Sequence, residues 1–257
     1  LRSAALALGA GASQLCATEA QWPAERAAGV FRCHADFSLD HFEPLIAELG
    51  ELENDLARDL DLAAPREEIH LFLFERKATY EAYLKQYFPK VPARKALFIK
   101  ARGPGMVFAY RSGELEIDVR HEATHALLHT SIQSLPLWLD EGLAEYYEVA
   151  RDQRLAGCPY VSGVRWNVRL GYVPELQKLE KLRDISEMGK DEYRDAWAWV
   201  HFLLHSSATT HRILRSYLAQ HAAGKDPGEL SAWLRRDMAE PETQFSLYFR
   251  RWNVVQK

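Results

Sequence analysis

Apolar and polar residues alternate over short runs in the first half of this chain and recur at helical spacing in the second half. Over residues 30–37, Phe31, Cys33, Ala35 and Phe37 fall on one side and predict a strand. Leu45, Ile46, Leu49, Leu52 and Leu56 form an apolar stripe that predicts a helix over about 42–60, broken by Pro65. Residues 69–74 are almost all apolar, which suits a buried strand. Tyr80, Tyr83, Leu84 and Tyr87 share a helical face over 77–88, and Pro89 ends it. Two strands follow, 96–101 and 106–110, joined by the turn Arg102-Gly103-Pro104-Gly105, and residues 115–119 alternate like a third. A helical pattern continues through Ala126, Leu127 and Leu128. After Pro136 a second helix begins, with Trp138, Leu139, Leu143 and Ala144 to bury. Residues 151–174 are polar, carry Gly157, Pro159, Gly163, Gly171 and Pro174, and read as a long loop of the kind that walls a cleft. Everything from Glu175 onward reads as helices. The order predicts an α+β chain: a small mixed sheet, then a mainly α-helical half. One continuous unit over 22–257 is expected, divided into halves near residue 120.

The chemistry is concentrated where the two halves meet. In His121-Glu122-Ala123-Thr124-His125, two imidazoles four residues apart on a helix project from one face and can grip one metal ion. Glu122 is rotated by about 100° from His121 and stands beside the metal, where it can take a proton from an activated water. A catalytic zinc site takes three protein ligands and leaves a fourth position open. Glu141, sixteen residues after His125 in Trp138-Leu139-Asp140-Glu141-Gly142-Leu143-Ala144-Glu145-Tyr146, is the candidate third ligand. Glu145 and Asp140 are candidates to accept the free N–H of a ligand imidazole and so fix its tautomer. His129 is four residues after His125, but one more helical turn carries it about 6 Å along the axis, so it is expected to face solvent or a carboxylate.

These residues resemble the gluzincin metallopeptidases. The wording after the histidines is similar to the aminopeptidase N pattern W-L-N-E-G-F-A, and also to a bacterial group of peptidase-MA-like domains. The resemblance implies a zincin-like catalytic domain, one Zn2+ per chain held by His121, His125 and Glu141, Glu122 as general base, and a peptide or protein substrate. In aminopeptidase-like members a tyrosine opening a helix stabilises the oxyanion. Tyr193, in Tyr193-Arg194-Asp195-Ala196, matches that position, and His201 two turns on is the competing donor. In such folds an edge strand beside the cleft pairs with the extended substrate, and residues 106–110 are the candidate. Two departures limit what is carried over. The spacer between His125 and Glu141 is fifteen residues, shorter than in the aminopeptidases. No G-A-M-E-N stretch, which holds a free substrate amine there, is present. Zinc and base chemistry therefore follow from the resemblance; aminopeptidase specificity does not.

Composition narrows the picture a little further. A formal charge of −4 with mixed acids and bases offers no electrostatic footprint for nucleic acid. Cys16, Cys33 and Cys158 are scattered without a C-x-x-C pair and are expected to be ordinary thiols. Residues 1–21 read as a signal peptide or a leader without structure, which sets the expected location: exported if it is a signal, cytoplasmic otherwise. No other segment is apolar for long enough to span a membrane. The function expected is a zinc hydrolase, most specifically a peptidase. The alternative from another class is a non-catalytic zinc-binding interaction module, which would have no use for a base at Glu122. A metal-free helical scaffold would make the whole His-Glu-His-Glu constellation accidental.

Overall fold

In the computed structural model, the residues described are 22–65, 67–92, 94–100 and 103–252. The expected leader over 1–21 and Cys16 lie outside them. These residues divide into two compact units, one made of 22–57 and 63–131, the other of 58–62 and 132–252.

The first unit contains the sheet. Its strands are β1 (Ala24–Ala28), β2 (Phe31–Ala35), β3 (Ile69–Phe74), β4 (Ala96–Ile99) and β5 (Gly105–Tyr110), in spatial order β1-β2-β3-β5-β4. β2, β3 and β5 run parallel, and β1 and β4 are antiparallel edges. The three parallel strands carry Phe31, Cys33, Ala35, Ile69, Leu71, Leu73, Val107 and Ala109, all buried, on one face. Helix α2 (Lys77–Tyr87) covers the other. There Phe74, Tyr80, Tyr83, Leu84, Phe88, Leu97, Ile99, Met106 and Phe108 make one core cluster. Helix α1 (Glu43–Leu60) buries the predicted leucine stripe. Gly29, at φ +57° in the β1–β2 turn, lies against Gly50 of α1, where an added Cβ would sit 3.3 Å from the Gly50 carbonyl oxygen.

Two strand readings are corrected here. Residues 106–110 are not an edge, because β5 lies between β3 and β4; the free edge nearby is β4. A strand with Met106, Val107, Phe108 and Ala109 all buried suits an interior position. Residues 115–119 are not a strand but the first turns of α3 (Leu115–Ser131). Leu115, Val119 and Ala123 lie four apart and are buried, while Ile117, which alternation placed beside them, is 45% exposed. Ser112 opens the helix, its hydroxyl accepting from the Glu114 amide at 3.1 Å.

The second unit is helical: α4 (Leu137–Tyr147), α5 (Tyr160–Arg169), the short α6 (Leu176–Leu179), α7 (Lys190–His205), α8 (Ala208–Ala222), α9 (Leu230–Asp237) and α10 (Pro241–Arg251). α7 is its hub. Every residue from Asp195 to Leu204 is buried, and α4, α5, α8 and α10 pack on it. Trp199 and Phe202 of α7 meet Phe245 of α10 at ring separations of 4.6 and 5.5 Å. α4 and α7 approach closely because Gly142 has no side chain: a Cβ there would lie 2.8 Å from the Ala196 carbonyl oxygen. The expected loop over 151–174 is also corrected, since α5 occupies 160–169 and buries Val161, Val164 and Val168. Among the described residues no helix is long and apolar enough to cross a membrane. Cys33 and Cys158 are buried free thiols, held up at about 11 and 12 mainly by burial.

Candidate metal centre

His121, Glu122 and His125 lie in the middle of α3, whose apolar side faces the sheet. Arg120 fixes the helix. It is 6% exposed, and its guanidinium donates to Glu48 of α1 at 2.7 Å and to Glu116 at 3.1 Å. Thr124 donates back to the Arg120 carbonyl at 2.8 Å. From this anchored segment the two histidines converge, with Nε2 of His121 and Nε2 of His125 3.2 Å apart and the rings at 73°. Two nitrogens each about 2.0–2.1 Å from one tetrahedral zinc ion are about 3.3 Å apart, so the pair has the bite that zinc requires. Glu122 is half-buried beside them. His129, one turn on, is half-buried with its ring 6.0 Å from that of Phe98 on β4.

The remaining candidates belong to the helical unit. Asp140 and Glu141 are buried on α4, at 1% and 5% exposure, although α4 offers mostly apolar neighbours. Two buried acids on an otherwise apolar helix carry a desolvation cost that a cation offsets. Glu145 is half-buried and accepts a hydrogen bond from the Tyr160 hydroxyl of α5. Burial first, and then this carboxylate, push the Tyr160 pKa up. Sequence reasoning missed Tyr160 because α5 itself was read as loop. Tyr193 lies in the first turn of α7, half-buried, where a helix-opening donor was expected.

His201 does not fit its expected role and is corrected. It is fully buried, its Nε2 donates to the Leu155 carbonyl at 3.0 Å, and its Nδ1 accepts from the Tyr248 hydroxyl at 3.0 Å. Both nitrogens are committed inside the helical unit, leaving no N–H for an oxyanion. Burial and the neighbouring His205 hold its pKa down at about 3.

No protein-family model matches this sequence, and no curated protein matches it. Solved structures do. The fold is similar to that of an M1 zinc metallopeptidase from Deinococcus radiodurans, with a TM-score of 0.52 and 16% identity over 92% of this chain and 53% of that one. A mutant of an M1 zinc metallopeptidase from the same organism gives 0.49 and 16%, over 91% and 52%. A two-domain M1 zinc metallopeptidase mutant bound to L-tryptophan gives 0.47 and 17%, over 92% and 52%. The chain is α+β with a zincin-like fold. It spans about half the length of the structures it matches.

Proposed function

We propose that this chain is a zinc-dependent peptidase in which His121, His125 and Glu141 hold the metal and Glu122 is the general base. The observation that carries this reading is the 3.2 Å pair of imidazole nitrogens with a carboxylate beside it, on an anchored helix of a zincin-like fold. The burial of Glu141 and the chemistry of two imidazoles with one carboxylate support zinc as the ion. When bound, zinc polarises the scissile carbonyl and makes water a nucleophile near neutral pH. Glu122 takes the proton of the attacking water and returns it to the departing nitrogen. Tyr193 donates to the carbonyl oxygen as negative charge builds there. Glu145 and Asp140 accept from the ligand imidazoles and orient them. With 106–110 interior, the free edge of β4 is the strand that pairs with an extended peptide backbone.

The test is metal content of wild type, Glu122→Gln and Glu141→Ala, with hydrolysis of a mixed peptide library recorded on the same samples. One zinc ion per wild-type chain, kept in Glu122→Gln with cleavage down by about 10²–10⁴, is expected. Glu141→Ala is expected to lose the metal. Zinc without cleavage in wild type would favour the interaction module, and no zinc uptake at all would sink the reading.

A further inference from the structure

Asp118 belongs to the same face of α3 as the candidate metal residues. On a helix it lies about 40° from Glu122 and about 20° from His125, one turn nearer the N-terminus. Its carboxylate is half-buried and accepts no hydrogen bond among the described residues. Its electrostatic neighbours are Lys95, Glu114, His121 and Glu122. Lys95, the only cation of the four apart from a protonated histidine, is paired with Glu114. That leaves two carboxylates, Asp118 and Glu122, without a matching lysine or arginine, and burial pushes the Asp118 pKa up, a cost that an incoming cation would offset.

The direction of the peptide follows from the same unit. β4 runs alongside α3 in the same sense: Lys95, just before β4, reaches the Asp118 end, and Phe98 meets His129 at the other. Glu122 hands its proton to the departing nitrogen, which belongs to the residue after the scissile bond. Along the axis of α3, His125 lies on the C-terminal side of Glu122 and Asp118 on the N-terminal side. The departing residue therefore extends towards Asp118, and a peptide so oriented runs antiparallel to β4, in the pairing with perpendicular hydrogen bonds. We propose that Asp118 is a specificity-determining residue that selects lysine or arginine immediately after the scissile bond. This rests on the peptidase reading above.

The full chain and its Asp118→Asn and Asp118→Lys variants would be given peptides identical except for Lys, Ala or Glu after the bond, with zinc content measured on each sample. Binding of the same peptides to these three proteins carrying Glu122→Gln, followed by fluorescence anisotropy, supplies a readout without turnover. Wild type is expected to favour Lys over Glu by about tenfold or more in kcat/KM and in Kd, the scale of a hydrogen-bonded charge. Asp118→Asn should flatten the ratio, and Asp118→Lys should invert it, which loss of structure alone cannot do. Equal treatment of Lys and Glu by wild type, or a Lys preference that survives Asp118→Lys, overturns the assignment. If wild type cleaves nothing, the peptidase reading fails, while the anisotropy series still decides whether Asp118 selects a cation.

Discussion

Tyr193 and His201 share one helix and entered as rival oxyanion donors, and their surroundings separate them. His201 has a hydrogen bond on each nitrogen and no exposed surface, so replacing it acts on folding. His201→Leu strips partners from the Leu155 carbonyl and the Tyr248 hydroxyl, at about 1–3 kcal/mol for each buried group left unsatisfied. The expected result is a lower melting temperature with kcat of the folded fraction retained. Tyr193→Phe removes one donor and little volume. It is expected to lower kcat by about 10²–10³ with KM and melting temperature nearly unchanged. Steady-state kinetics and thermal melts of both variants check this, and a Tyr193→Phe enzyme with full kcat would remove the tyrosine from the chemistry.

Between α4 and α7 the decisive residue is the one after Glu141. Gly142→Ala places a methyl group 2.8 Å from the Ala196 carbonyl oxygen and 3.0 Å from a methyl of Val200, and neither backbone can give way cheaply. A loss of about 1–3 kcal/mol is expected from such overpacking, read as a lower urea midpoint. If α4 bears the third ligand, zinc affinity falls with it. The motif on α4 was legible because its acids interrupt an apolar helix. The elements that were misread share a different cause. Over 115–119, alternation and i, i+4 spacing select the same Leu115 and Val119, and only the exposure of Ile117 tells strand from helix. That misreading hid Asp118, which has meaning only once it is one turn from Glu122. α5 was hidden by Ser162, Gly163 and β-branched valines, poor helix formers that tertiary burial of Val161, Val164 and Val168 overrides. Strand order was not legible at all, since β4 and β5 are similar apolar runs and the pairing that makes one an edge is set by distant residues.

At the scale of the whole molecule, both units hold histidines whose neutral form is favoured by full or partial burial, and acid should therefore loosen the fold as they take up protons. In the helical unit the fully buried His201 is held at about 3, chiefly by burial. His205 has an exposed outer surface, but its Nε2 is turned inward against the Tyr146 hydroxyl, and partial desolvation lowers it in the same direction. In the sheet unit burial, followed by the adjoining His34, lowers His70. An unfolded chain takes up these protons near pH 6.5, and the folded chain takes them up only at lower pH. Between those values the unfolded state binds more protons, so stability is fully present above about pH 6.5 and is lost progressively as pH falls towards about 4. Glu180 and Asp195, whose pKa values burial raises, act in the opposite sense and soften the decline. The expected outcome is a lower urea midpoint at pH 5 than at pH 7.5. His205→Gln separates the histidine contribution: glutamine can still bond the Tyr146 hydroxyl that His205 meets at 2.7 Å, yet it does not titrate. The variant should therefore show a smaller difference between the two pH values than wild type. An equal difference in both proteins would mean that His205 is already protonated in the folded state, and that the Tyr146–His205 pair is open to water.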